Sequence, residues 1–126
     1  MRRTTCTLPP EGAMTDTRPA FACDFSALSV DERARRAALA SRVAARFREV
    51  LEISDGYAAR LDPDPAVVRD ALDWLLLERR CCPFLRFELC FEPADGPVWF
   101  QVRGDPGIKE FLAAAGLKAS PAKEQP

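Results

Sequence analysis

Histidine is absent from the 126-residue chain. Its absence excludes the Ser-His and Cys-His pairs of many nucleophilic enzymes and every zinc site that uses an imidazole. A general base would have to be a carboxylate, a lysine, a tyrosine or a thiolate. Long apolar runs are also missing, since no segment approaches the ~20 residues needed to cross a bilayer. The sequence therefore predicts no membrane partner.

The chain also has almost no excess of one charge over the other, because its formal net charge is only -1. No general electrostatic footprint for nucleic acid is expected. No apolar segment follows Met1-Arg2-Arg3, as a signal peptide would require, so we expect a cytoplasmic protein. The five cysteines are an odd number and lack a secretory context. This pattern predicts reduced thiols and argues against a structural disulfide framework.

The order of the predicted elements is β-α-β-α-β-β-α. We expect residues 1–19 to be a disordered arm, residues 20–116 to be a single α+β domain and residues 117–126 to be a disordered tail. The fold should be a mostly antiparallel sheet of about four strands with three helices on one face. The predicted strands are residues 21–25, 57–61, 84–91 and 98–102, and the helices are 30 to about 50, 65 to about 81, and 106 to about 115.

The central helix has clear boundaries. Asp64 is a favourable N-cap, and Pro65 suits the first helical position because its missing N–H is not needed there. Pro83 ends the helix because it disfavours the helical conformation in the residue before it. Apolar side chains recur at helical spacing between these limits and predict one buried face.

Glu78 interrupts that buried face. It precedes Cys81 by three positions and Cys82 by four, so the three side chains can meet on the helix surface. A buried carboxylate without a partner is costly and should be paired, protonated or bound to a ligand. These three residues are the most suggestive group in the chain.

The chain resembles a group of small bacterial proteins that share a Glu-Arg-x-Cys-Cys-Pro-Phe motif. The resemblance would cover residues 20 to about 115 and implies no particular activity, only a domain boundary and a focus on the cysteines. It is carried by Phe21-Ala22-Cys23-Asp24, Asp55-Gly56-Tyr57, Glu78-Arg79-Arg80-Cys81-Cys82-Pro83-Phe84-Leu85-Arg86-Phe87 and Gly107-Ile108-Lys109-Glu110-Phe111-Leu112.

Soft-metal or metalloid binding is the most concrete functional hypothesis. Thiolates are preferred ligands of thiophilic ions. Cys81 and Cys82 would supply two sulfurs, Glu78 an oxygen, and Cys23 a further sulfur if its strand lies under the end of the central helix. Structural zinc commonly uses two C-x-x-C pairs, which this chain lacks, so an ion with two or three ligands fits better.

Thiol redox chemistry is a second hypothesis. Glu78 could take a proton from Cys81 or Cys82, although the negative end of a helix raises a thiol pKa. The usual C-x-x-C redox motif is missing.

The third hypothesis is a non-catalytic interaction module or homodimer. The cysteines would then be small buried apolar groups, and Glu78 would pair with Arg60 or Arg86. Trp99 and Cys90 would lie on the open side of the sheet, where they could contact a second subunit.

Overall fold

The part of the chain that the structure describes forms one four-stranded antiparallel sheet with α-helices packed on it. The computed structural model describes residues 22–117 and 119–120. Among these residues it has three α-helices and four strands, which confirms the α+β prediction. The elements are a 3-10 turn (Phe25–Ala27), α1 (Val30–Ala44), β1 (Phe47–Ile53), β2 (Gly56–Leu61), α2 (Pro65–Cys81), β3 (Arg86–Phe91), β4 (Val98–Arg103) and α3 (Ile108–Ala114).

The strand order is β1-β2-β4-β3, with every neighbouring pair antiparallel. The last strand therefore lies between β2 and β3, and α2 connects these two strands across it. One face of the sheet packs against all three helices. Buried members of this core are Val43, Val50, Tyr57, Ala59, Leu61, Val67, Ala71, Leu75, Val98, Phe100, Val102, Ile108 and Leu112.

The first strand lies at a different place from the predicted one. The helix that was expected to reach about Val50 ends at Ala44, and the chain then enters β1. A register irregularity between Phe47 and Glu49 allows Phe47 and Val50 to face the same core although three positions separate them. Such a bulge hides the period of two and imitates helical spacing.

The segment predicted as the first strand is not extended into the sheet. Residues 22–24 have no regular structure, and the Asp24 side chain caps the 3-10 turn by accepting a hydrogen bond from the backbone N–H of Ser26. The predictions for residues 1–19 and 121–126 lie outside the described residues. Ser120 contacts the domain, because its N–H and hydroxyl oxygen bond the backbone of Val50 at 2.8 Å each.

The sheet face opposite the helices carries a second apolar cluster. Cys90 lies on this side, away from the helices as predicted, but it packs with Ala58 and Trp99 and is only 6% exposed. Trp99 is 8% exposed. Its ring therefore does not form the exposed contact surface that we predicted. No helix of the described residues has the length and apolarity to span a membrane.

Candidate functional site

Two sulfurs lie at the C-terminal end of α2. Cys81 is the last helical residue, and Cys82 is the C-cap, whose backbone N–H donates to the carbonyl oxygen of Glu78 at 2.8 Å. Both cysteines are fully buried, and their Sγ atoms are 3.9 Å apart. They pack in a small core with Leu28, Leu39 and Leu77 that is separate from the main one.

Cys82 forms a disulfide with Cys23. The prediction that the thiols are reduced and that no structural disulfide forms is therefore wrong for this pair. The 3-10 turn explains their approach, because it lets the backbone N–H of Asp24 donate to the carbonyl oxygen of Cys81 at 2.7 Å. Cys23 lies just before this turn and is half-buried. It does not lie on a core-facing strand, as we had predicted. It is the more accessible half of the disulfide.

Glu78 is buried and paired. Its Oε1 accepts hydrogen bonds from Arg36 Nε at 2.6 Å and from Trp74 Nε1 at 3.1 Å. Its Oε2 accepts from Arg36 Nη2 at 3.2 Å and lies 3.3 Å from the Sγ of Cys82. The predicted partners Arg60 and Arg86 pair elsewhere, with Glu49 and Glu88. The carboxyl group is thus paired with one guanidinium beside the sulfurs.

Arg36 reaches the site because α1 and α2 run antiparallel to each other. Its guanidinium also lies over the ring of Phe25, 4.8 Å from the centroid. Sequence reasoning missed this residue, although it precedes the buried Leu39 and Val43 by three and seven positions and so lies on the helix's inner face. The other ion pairs across these helices are Arg35–Asp73, Arg42–Asp70 and Arg80–Glu32.

The Cys81 thiol is held in its neutral form. Burial raises its pKa, and the negative charge of Glu78 raises it further, while the nearby Arg36 guanidinium acts in the opposite direction. The net direction is upward, so at neutral pH this side chain is a thiol and not a ready nucleophile.

The predicted site residues come together. One ligand atom from each of Cys23, Glu78 and Cys82 lies within 4.8 Å of the other two, and Cys81 adds a sulfur next to Cys82. Two sulfurs that each lie ~2.3 Å from an ion with three ligands in a trigonal arrangement are about 4.0 Å apart. The 3.9 Å separation of the Cys81 and Cys82 sulfurs matches that spacing.

Comparison with known proteins gave no match: no protein-family model, no curated protein and no solved structure matches the chain. The resemblance to the small bacterial proteins with the Cys-Cys-Pro-Phe motif therefore stays a prediction. Function has to be argued from the residues of the site.

Proposed function

We propose that the protein, in its reduced form, binds a thiophilic metal or metalloid ion through Cys23, Cys81 and Cys82, with Glu78 beside them. The observation that carries this proposal is that the Cys81 sulfur and a Glu78 carboxylate oxygen lie beside the Cys23–Cys82 disulfide, whose reduction would leave three sulfurs and a carboxylate together at the end of α2. Thiolate sulfur favours soft ions such as Cu(I) and Hg(II) over hard ones.

The disulfide makes the site depend on redox state. A dithiol reductant would supply two electrons and cleave the Cys23–Cys82 bond, which leaves two thiols in place of one disulfide. The ion would then displace protons from the sulfurs that it binds. Cys23 is the point of attack for the reductant because Cys82 is fully buried. In the oxidised protein the sulfurs of Cys23 and Cys82 are bonded to each other and cannot bind the ion as thiolates.

The positive charge of Arg36 would offset part of the negative charge of the ion-bound site. Two or three thiolates and the Glu78 carboxylate bring several negative charges into a buried space, where unpaired charge is costly. The guanidinium already contacts Glu78 and is close enough to Cys81 to favour its thiolate. Arg36 therefore positions Glu78 and offsets part of the charge.

The test compares oxidised and dithiol-reduced protein, with excess reductant removed under inert gas, in titrations with Hg(II), Cu(I) and arsenite. We expect the reduced protein to bind one ion, seen as ligand-to-metal charge-transfer absorption for Hg(II), and the oxidised protein to bind at least 100-fold more weakly. The Cys81→Ser/Cys82→Ser variant should lose this binding. Cys90→Ser is the matched control, because Cys90 lies on the opposite face of the sheet. Equal affinity of the double variant and wild type would refute the proposal.

Thiol–disulfide exchange is a second candidate, favoured by the free Cys81 thiol 3.9 Å from the disulfide sulfur of Cys82. Once a base has removed its proton, which the raised pKa of Cys81 makes harder, attack of the Cys81 thiolate on that sulfur would form a Cys81–Cys82 bond and release Cys23 as a thiolate. A bond between neighbouring residues is strained and easily reduced. Mass mapping of disulfides after partial reduction distinguishes the two candidates, because only exchange yields the Cys81–Cys82 species.

A further inference from the structure

A cavity of about 360 Å³ lies between the helices and the sheet. The cavity is partly open to the surface, so it is a cleft and not an enclosed packing void. Its volume falls in the ~300–1,000 Å³ range of small-molecule sites. The exposed wall residues Ala44, Ala115 and Gly116 stand at the C-terminal ends of α1 and α3 and mark its opening.

The walls of the cavity are mostly apolar, and four of the wall residues are aromatic. The rings of Phe47 and Phe87 each stack on Phe100, with centroids 6.1 and 6.2 Å apart, and Trp74 meets Phe100 at 5.3 Å. All four rings line the cavity. Such walls would bind an alkyl chain or an aromatic ring by removing apolar surface from water.

One end of the cavity is polar. Arg36 and Glu78 are its only charged wall residues within the described part of the chain. At a rise of about 1.5 Å per residue, Arg36 lies about 12 Å along α1 from the opening at Ala44. The two side chains form an ion pair, so they offer a donor and an acceptor side by side with no net charge. A neutral head group that both donates and accepts hydrogen bonds matches this end, whereas a charged head would be repelled by one member of the pair.

We propose that this cavity binds a small amphipathic molecule with an apolar body and a neutral hydroxyl or amide head, the head at the Arg36–Glu78 pair. The cavity extends beyond the soft-ion site, because its walls contain none of the cysteines. Its polar end shares Arg36 and Glu78 with the sulfur site.

Binding can be followed through Trp74 alone. The chain has two tryptophans, and Trp99→Phe leaves Trp74 as the only one. In this background we expect octan-1-ol to change the emission saturably. Octanoate and octylammonium, which have the same chain and a charged head, should bind at least 10-fold more weakly. Equal binding of all three compounds would overturn the assignment of the head group.

Blocking variants locate the site. Ala40→Phe, on the cavity wall, should weaken octan-1-ol binding at least 10-fold. Ala44→Phe, at an exposed position on the rim, should also weaken it and does not disturb the core. Ala38→Phe is the matched control, because Ala38 is exposed on the same helix and lies outside the cavity. Octan-1-ol binding that is unchanged in both wall variants, or that falls equally in the control, would refute the cavity as the site.

Discussion

Removing the guanidinium from the Glu78 carboxylate is the sharpest perturbation of the site. Arg36→Met keeps most of the apolar length of the side chain and deletes its charge. Glu78 is 7% exposed and would lose both Arg36 hydrogen bonds, at 2.6 and 3.2 Å. The hydrogen bond from Trp74 would remain, but it cannot neutralise the charge.

The expected cost follows from how exposed the pair is. Breaking a fully buried ion pair costs about 3–5 kcal/mol, whereas exposed pairs contribute about 0–1 kcal/mol. The Arg36 side chain is 21% exposed and that of Glu78 is 9% exposed, so the pair lies closer to the buried limit. With allowance for solvent screening, we expect Arg36→Met to lower the unfolding free energy by about 2–3 kcal/mol.

Urea unfolding of the oxidised protein measures this loss, with Arg36→Met, Glu78→Gln and the double variant forming a thermodynamic cycle. The double variant should lose clearly less than the sum of the two single variants, because Glu78→Gln removes the charge that Arg36→Met leaves stranded. Arg35→Met is the matched control, since the Arg35–Asp73 pair is 3.3 Å long and both side chains are largely exposed. A loss in Arg36→Met no larger than in Arg35→Met, or strictly additive single variants, would refute the reasoning.

Three further predictions concern the sulfurs and the sheet. Reduction of the Cys23–Cys82 disulfide should lower the unfolding free energy by up to about 4 kcal/mol, because the bond closes a 59-residue separation; thermal melting that is unaffected by a dithiol would contradict this. Burial and the charge of Glu78 raise the pKa of Cys81, so Glu78→Gln should lower it. The rate of Cys81 alkylation, followed by peptide mapping, should then reach its midpoint at a lower pH than in wild type. A midpoint at higher pH would contradict this. In wild type the stabilisation from the neutral Cys81 thiol is complete below the unfolded pKa of ~8.5 and is lost as the pH rises through the higher folded value. Gly56→Ala should lower the unfolding free energy by about 3 kcal/mol, because its Cβ would lie 1.8 Å from a carbonyl oxygen of β4. A variant as stable as wild type in denaturant unfolding would contradict this, because it would show that the strands can move apart.

The central helix shows what local sequence rules can predict. Asp64, Pro65 and the apolar spacing after them act within a few residues, and the observed helix, Pro65–Cys81, matches their prediction. The burial of Glu78 followed from the same helical periodicity. These features need no knowledge of the rest of the fold, which is why the sequence suffices.

Features that depend on distant segments were harder to predict. The bulge at Phe47 made a strand resemble the end of a helix, because facing residues were spaced by three. The Cys23–Cys82 disulfide depends on a 3-10 turn that docks against α2, and no cysteine spacing indicates that contact. The choice of Arg36 as the partner of Glu78 depends on how α1 and α2 align, which lies beyond any local pattern.

The position of β4 has a consequence for synthesis on the ribosome. Among the described strands β4 is the last to be translated, yet it lies in the middle of the sheet and pairs with both β2 and β3. Until it emerges, the nascent chain holds only the β1–β2 hairpin, and an isolated hairpin is at best marginally stable in water. The inner edge of β2 therefore stays unpaired until β4 emerges, and until then it is an edge at which another chain could pair.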